Sequence, residues 1–142
     1  MRKIGLISCV SKKRAVKSKA RDLYISSLFK KNLQYALNLE PDQIFILSAK
    51  YGLVSLDEEI EPYDLTLNTM SAKEVKNWSA TVLRDLASQT DLQEDQFIFL
   101  AGAKYRKYLL EHLSHVEIPF EGLTIGRQLQ RLTEQGNFEH DR

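Results

Sequence analysis

Ile44-Phe45-Ile46-Leu47 is an unbroken apolar run that stops at once in Ser48-Ala49-Lys50-Tyr51-Gly52. Four large apolar side chains in a row suit a strand buried on both faces, as in a parallel sheet covered by helices. The chain starts in the same way: Ile4-Gly5-Leu6-Ile7 gives way to Ser8-Cys9-Val10-Ser11-Lys12-Lys13. In open α/β sheets the carboxyl ends of the strands border the crevice where ligands bind. Two strand ends carrying Ser and Lys therefore predict one shared polar site that favours anions.

The rest of the chain alternates strand and helix signals. Residues 3–8 read as the first strand and 10–20 as a polar, basic loop. A helix is expected over 22–39, with Ile25, Phe29, Leu33 and Leu37 spaced by four on its inner face and Pro41 beyond its end. The second strand covers 43–48, and 53–68 reads as a long irregular connection rich in acids. Ser71-Ala72-Lys73-Glu74 matches a capping box, and a helix follows to about 87 with Val75, Trp78, Val82 and Leu86 inward. A third strand is expected over 96–101, with Gly102 permitting a tight turn into a helix over 103–113. A short fourth strand over 116–118, a last helix over 125–132 and a frayed tail over 135–142 complete the reading. This order predicts one α/β domain over 1–142. It is a three-layer sandwich with a mainly parallel four-stranded sheet flanked by helices.

A chain of 142 residues with 43% hydrophobic content is large enough to bury a core without disulfides or metals. Its single cysteine, Cys9, excludes an internal disulfide and suits a reducing compartment. No apolar run approaches the roughly 18 to 20 residues of a membrane span, and Met1-Arg2-Lys3 leads into too short an apolar stretch for a signal peptide. A cytoplasmic protein with no membrane partner is expected. The net charge of +1 conceals a segregation. Lys12, Lys13, Arg14, Lys17, Lys19, Arg21, Lys30 and Lys31 cluster with Asp22 as the sole acid among them, while Asp57, Glu58, Glu59, Glu61 and Asp64 form an acidic stretch. Such a basic segment suits phosphate, and equally suits a solvated surface paired with the acidic loop.

Several residue types carry chemistry. Lys50 offers an ammonium to a phosphate or to developing negative charge. Ser8, Ser11, Lys12 and Lys13 suit a phosphate cradle with backbone N–H groups, joined by Ser48, Tyr51, Gly102 and Tyr105 on the same rim. No P-loop is present, because Gly-x4-Gly-Lys-Ser/Thr does not occur. That argues against ATPase or kinase chemistry. Asp57 and Asp64 are candidate carboxylates for placing water or holding a sugar hydroxyl, or else belong to a solvated loop. Tyr24, Tyr51, Tyr63 and Tyr105 are possible stacking platforms for bases. Cys9 reads as packing more readily than as a nucleophile. One Cys and scattered His give no metal-ligand spacing, so neither metal nor cofactor is expected.

Four segments together resemble a known family: Leu6-Ile7-Ser8-Cys9 with Lys12-Lys13; Ala20-Arg21-Asp22-Leu23-Tyr24 with Ser27-Leu28-Phe29; Leu47-Ser48-Ala49-Lys50-Tyr51-Gly52-Leu53 with Pro62-Tyr63-Asp64; and Leu100-Ala101-Gly102 with Tyr105. They are similar to a small bacterial and phage domain family of unknown function. That family is related in pattern to the peroxide-stress YaaA proteins and to domains associated with tRNA-guanine transglycosylase-like proteins. The resemblance spans about residues 3–132. It implies an α/β domain working near nucleic-acid modification or damage. A looser similarity is to the uracil-DNA glycosylase architecture, although the acidic water-activating residue expected after the first strand is missing here.

Two functions of different class follow. One is an enzyme that breaks or exchanges an N-glycosidic bond, in DNA rather than RNA, with Lys50, Asp64 and Asp57 catalytic. The other is a non-catalytic module binding nucleic acid or a nucleotide through the same rim.

Overall fold

The apolar runs form buried parallel strands in the computed structural model, which describes residues 1–8 and 12–140 and their side chains apart from 125 and 135–140. The elements are β1 (Lys3–Ser8), β2 (Ser18–Lys19), α1 (Ala20–Leu23), α2 (Ser27–Asn38), β3 (Gln43–Ser48), β4 (Gly52–Ser55) and β5 (Glu59–Ile60). They continue with α3 (Ala72–Gln89), β6 (Gln96–Leu100), α4 (Ala103–Arg106), β7 (His115–Glu117) and α5 (Ile125–His140). The main sheet has the order β4-β3-β1-β6-β7. Strands β3, β1, β6 and β7 run parallel, and β4 folds back antiparallel on β3.

Alternation along the strands divides the core into two layers. Ile4, Leu6, Phe45, Leu47, Phe97 and Phe99 face α3, packing with Val75, Val82 and Leu86. Ile7, Ile44, Ile46 and Leu100 face the other way, toward Leu23, Phe29, Ala36 and Leu132 from α1, α2 and α5. Both faces of the central strands are therefore covered, which is why their sequences show no polar alternation. Gly5 lets α2 lie close to the sheet: a Cβ there would stand 3.4 Å from Ile44 Cγ1 and 3.8 Å from Ala36 Cβ.

The layers were legible in the sequence, but the sheet has five strands and not four. The added strand, β4, begins at Gly52 and runs into the stretch over 53–68 read as an irregular connection. Gly52 takes φ +74°, a left-handed conformation open to glycine, and turns the chain back after Ser48-Ala49-Lys50-Tyr51. Farther along that stretch, β5 pairs with β2 in a separate two-stranded ribbon. The first predicted helix is also two helices. Ser26 caps α2 by accepting the Phe29 N–H at 3.2 Å, so the buried face becomes Phe29, Asn32 and Ala36. Ile25 and Leu37 are instead exposed, at 41% and 42%. The helix expected over 103–113 shrinks to α4 and a 3₁₀ turn over Leu110–His112, whereas the last helix runs on to His140. The capping box at Ser71 and Glu74 forms as expected. Among the described residues, no helix is long and apolar enough to cross a membrane.

The connections gather three strand ends at one edge of the sheet. The chain passes from β1 through α2 to β3 on one side, then crosses back through α3 to β6 on the other. The carboxyl ends of β1, β3 and β6 meet at one edge, with Ser8 beside Leu47 and Ile7 beside Leu100. The direction of winding reverses between β1 and β6, the position where such sheets open a crevice.

Candidate functional site

The strand-end rim is held together by hydroxyl groups. Ser8 Oγ accepts the Gly102 N–H at 3.2 Å and ties the end of β1 to the turn after β6. At the end of β3, Ser48 is fully buried. Its Oγ accepts the Tyr51 N–H at 3.0 Å and donates to Tyr63 Oη at 2.9 Å. Tyr63 Oη in turn lies 2.6 Å from the hydroxyl of buried Tyr24. The Ser48 carbonyl accepts the Trp78 indole N–H at 2.8 Å. These contacts fix Tyr63 at the head of the sheet. Ser48 is thereby occupied within the protein.

Tyr63 lines an open cleft of about 560 Å³. Lys12, Lys13, Arg14 and Ala15 line one wall, and Pro62, Tyr63 and Asp64 the other. Both walls are fastened by main-chain bonds. Lys13 bridges Tyr24, the Arg14 N–H donates to the Leu23 carbonyl at 2.8 Å, and the Ile25 N–H donates to the Lys12 carbonyl at 3.0 Å. Leading to the opposite wall, the Ala20 N–H donates to the Glu58 carbonyl and the Arg21 N–H to the Leu56 carbonyl, alongside the β2–β5 pairing. Backbone fastened in this way holds a cationic wall against an aromatic and acidic one without relying on flexible side chains.

Cations and tyrosines alternate at this edge. Lys13 Nζ stands 4.5 Å from the Tyr63 ring centroid. The Tyr63 and Tyr51 rings pack edge to face with centroids 5.8 Å apart, and Lys50 Nζ lies 5.2 Å from the Tyr51 centroid. Lys50 itself is exposed on the β3–β4 turn.

The other predicted residues divide between this edge and elsewhere. Asp64 lines the cleft, is exposed, and makes no hydrogen bond or ion pair among the described residues. Asp57 stands apart: its Oδ1 lies 3.0 Å from Arg21 Nε, near enough for an ion pair though not aligned as a hydrogen bond. Gly102 is exposed on the rim. Tyr105, expected on that surface, is 3% exposed and packs its ring at 89° against Trp78 inside the core. Ser11 and Cys9 lie outside the described residues. Sequence reasoning offered Tyr63 as a stacking platform and Trp78 as an inward helix residue, but it gave neither a hydrogen bond at the end of β3 and singled out Arg14 only as part of the basic run. Arg14 was present in the basic run and Tyr63 beside Asp64, but the indole bond to the Ser48 carbonyl spans 30 residues and has no local signal.

The geometry defines a class: a three-layer α/β domain with a cationic strand-end cleft that bears one carboxylate, Asp64, among the described residues. A family model described as a family of unknown function (DUF6884) matches residues 4–134, and the chain belongs to that family. Comparison with curated proteins and with solved structures found no match.

Proposed function

We propose that the protein binds nucleic acid or a nucleotide by its phosphate, in the cleft between residues 12–15 and 62–64. The observation that carries this reading is the row Lys12, Lys13 and Arg14 on one fastened wall. Lys12 and Arg14 make no ion pair among the described residues, despite an acidic wall opposite. Cationic side chains not paired within the protein remain open to polyanion contact, and releasing counterions from a phosphate backbone is the main driving term in such binding. Fluorescence anisotropy with short single- and double-stranded DNA and RNA across a salt series tests it. Binding should weaken steeply with salt, and Lys12→Ala/Lys13→Ala should make the slope shallower. Absence of binding at low salt overturns the reading.

A second reading, cleavage or exchange of an N-glycosidic bond in DNA, is favoured by Asp64 in the same cleft as those cations. In this reading Asp64 places a water, Lys50 contacts a phosphate or developing negative charge, and the base is extruded toward the rim. It is also where a finer kinship with YaaA-like proteins and with the uracil-DNA glycosylase architecture would matter. Asp57 is a weaker catalytic candidate because Arg21 engages it. Base release from modified duplexes is the assay. Unchanged release in both Lys50→Ala and Asp64→Asn removes this mechanism, and intact substrate after long incubation with tight, salt-sensitive binding leaves the binding module.

A further inference from the structure

The carboxylate of Asp64 is out of place in a cleft for phosphate alone. It accepts hydrogen bonds and donates none, and it repels a phosphate brought near it. Yet it shares the cleft with Lys12, Lys13 and Arg14, and no described group takes up its oxygens. A ligand that places phosphate on the cations must offer Asp64 a donor, and in a nucleotide those donors are sugar hydroxyls or base N–H groups.

The aromatic residues decide between them. Tyr63 is the aromatic residue among those lining the cleft. The Lys13 ammonium lies over its ring, and Tyr24 and Tyr51 pack against it at 79° and 78°. Tyr24 and Tyr105 are buried. A base stacks on an open ring face, whereas Tyr63 is half-buried and already carries the Lys13 ammonium and two packed rings, which favours a grip on the backbone of the ligand over a grip on its base. The donor nearest a bound phosphate along that backbone is the ribose hydroxyl. Acceptance of this hydroxyl by an acidic side chain is an established way to read the sugar.

We infer that the cleft selects ribose over deoxyribose, with Asp64 accepting the 2′-hydroxyl of a ribonucleotide unit whose phosphate rests on Lys12, Lys13 and Arg14. This rests on the phosphate-binding reading above. It also competes with the water-placing role for Asp64, since one carboxylate held by a sugar hydroxyl is not free to orient a water on DNA.

The test uses fluorescein-labelled single strands of about six nucleotides, one all-uracil and one all-adenine sequence, each in ribo, deoxyribo and 2′-O-methyl forms. The 2′-O-methyl strand keeps the ribose shape without the donor. The expected result is roughly tenfold tighter binding of the ribo strand than of either other form, the size of one good hydrogen bond to a charged group. Asp64→Ala, which removes the acceptor, should bring the ribo strand down to the deoxyribo level while leaving the salt slope unchanged. Equal, salt-sensitive affinity for all three strands overturns the ribose inference and leaves phosphate binding standing. No binding of any strand at low salt overturns the phosphate reading itself. A preference that follows base sequence in all three sugar series and disappears in Asp64→Ala also overturns the inference, because Asp64 would then read a base.

Discussion

The two edges of the central sheet carry similar charged residues and use them differently. At the amino edge, the Arg2 N–H donates to Asp95 Oδ1 at 3.1 Å, and the Asp91 N–H to Asp95 Oδ2 at 2.9 Å. The Lys3 N–H donates to Asp42 Oδ2 at 2.7 Å, Lys3 Nζ to the Leu39 carbonyl, and Arg2 Nη2 to Gln43 Oε1 at 2.8 Å. There is an open depression here too, about 460 Å³, lined by Arg2, Asp91 and Asp95 among others. Its charged groups already serve backbone groups and strand ends. At the carboxyl edge Lys12, Arg14 and Asp64 serve none among the described residues. A depression of similar size thus marks a tie-off at one edge and a candidate site at the other, and the difference lies in where the hydrogen bonds go.

Removing the tie-off should have the largest effect on stability. Asp95→Ala leaves the Arg2 and Asp91 N–H groups without their acceptor beside a buried position, a loss of about 1–3 kcal/mol in urea unfolding. The carboxyl of Asp95 is held below the usual aspartate range, chiefly by the Asp91 N–H. Burial opposes this, and the Arg2 N–H adds to it. With the folded pKa lowered, its stabilisation is present above the ordinary aspartate pKa of about 3.9 and disappears as pH falls through the lowered value. Wild type should therefore lose stability in that acid window more steeply than Asp95→Asn does. Nucleic-acid affinity per folded molecule should be unchanged in both variants. A folded Asp95 variant with weakened binding breaks the distinction between the edges.

Tyr63→Phe should come next, because its hydroxyl belongs to both structure and site. The Ser48 O–H loses its acceptor and the Tyr24 hydroxyl a neighbour at 2.6 Å, each inside the protein. An effect of about 1–2 kcal/mol on unfolding is expected. The ring remains under Lys13, so phosphate binding should fall by no more than about threefold, roughly 0.6 kcal/mol. A much larger binding loss at unchanged stability would mean that the hydroxyl touches ligand directly.

The same contrast separates what the sequence disclosed from what it concealed. Strands β1, β3 and β6 and the inner face of α3 were legible, because a buried strand and an amphipathic helix print their surroundings as local patterns. The Ser71 and Glu74 box was legible for the same reason, its two partners lying three residues apart. The split between α1 and α2 was available in Ser26-Ser27 but was overridden by the spacing of Ile25, Phe29, Leu33 and Leu37. Strand β4 hid behind a turn whose sign is the positive φ of Gly52, and no Asn-Gly or Asp-Gly pair announced it. The site itself was half legible. Basic and acidic segments were visible, but nothing local told Asp57, engaged by Arg21, from Asp64 in the cleft. The chain of Ser48, Tyr63 and Tyr24 hydroxyls joins residues 15 and 39 positions apart and exists only once the sheet is built.

The smallest stability effect, and the sharpest separation of the edges, should come from Lys12→Ala/Arg14→Ala. Neither side chain makes a hydrogen bond or ion pair among the described residues, and both are exposed. Their truncation should move the unfolding free energy by no more than about 0.5 kcal/mol. The main-chain bonds at 12–14 survive it, so the cleft wall stays in place. Binding is where the change should appear. Each phosphate contact contributes about 0.7 to 0.9 to the slope of log affinity against log salt, so losing two makes the slope shallower by about 1.4 to 1.8. Arg2→Ala/Lys3→Ala removes the same charge from the amino edge and should lower stability while leaving that slope alone. If the two double variants shift the slope equally, the salt dependence reports net charge and not a cleft. If only the first does, phosphate is bound where the strands end.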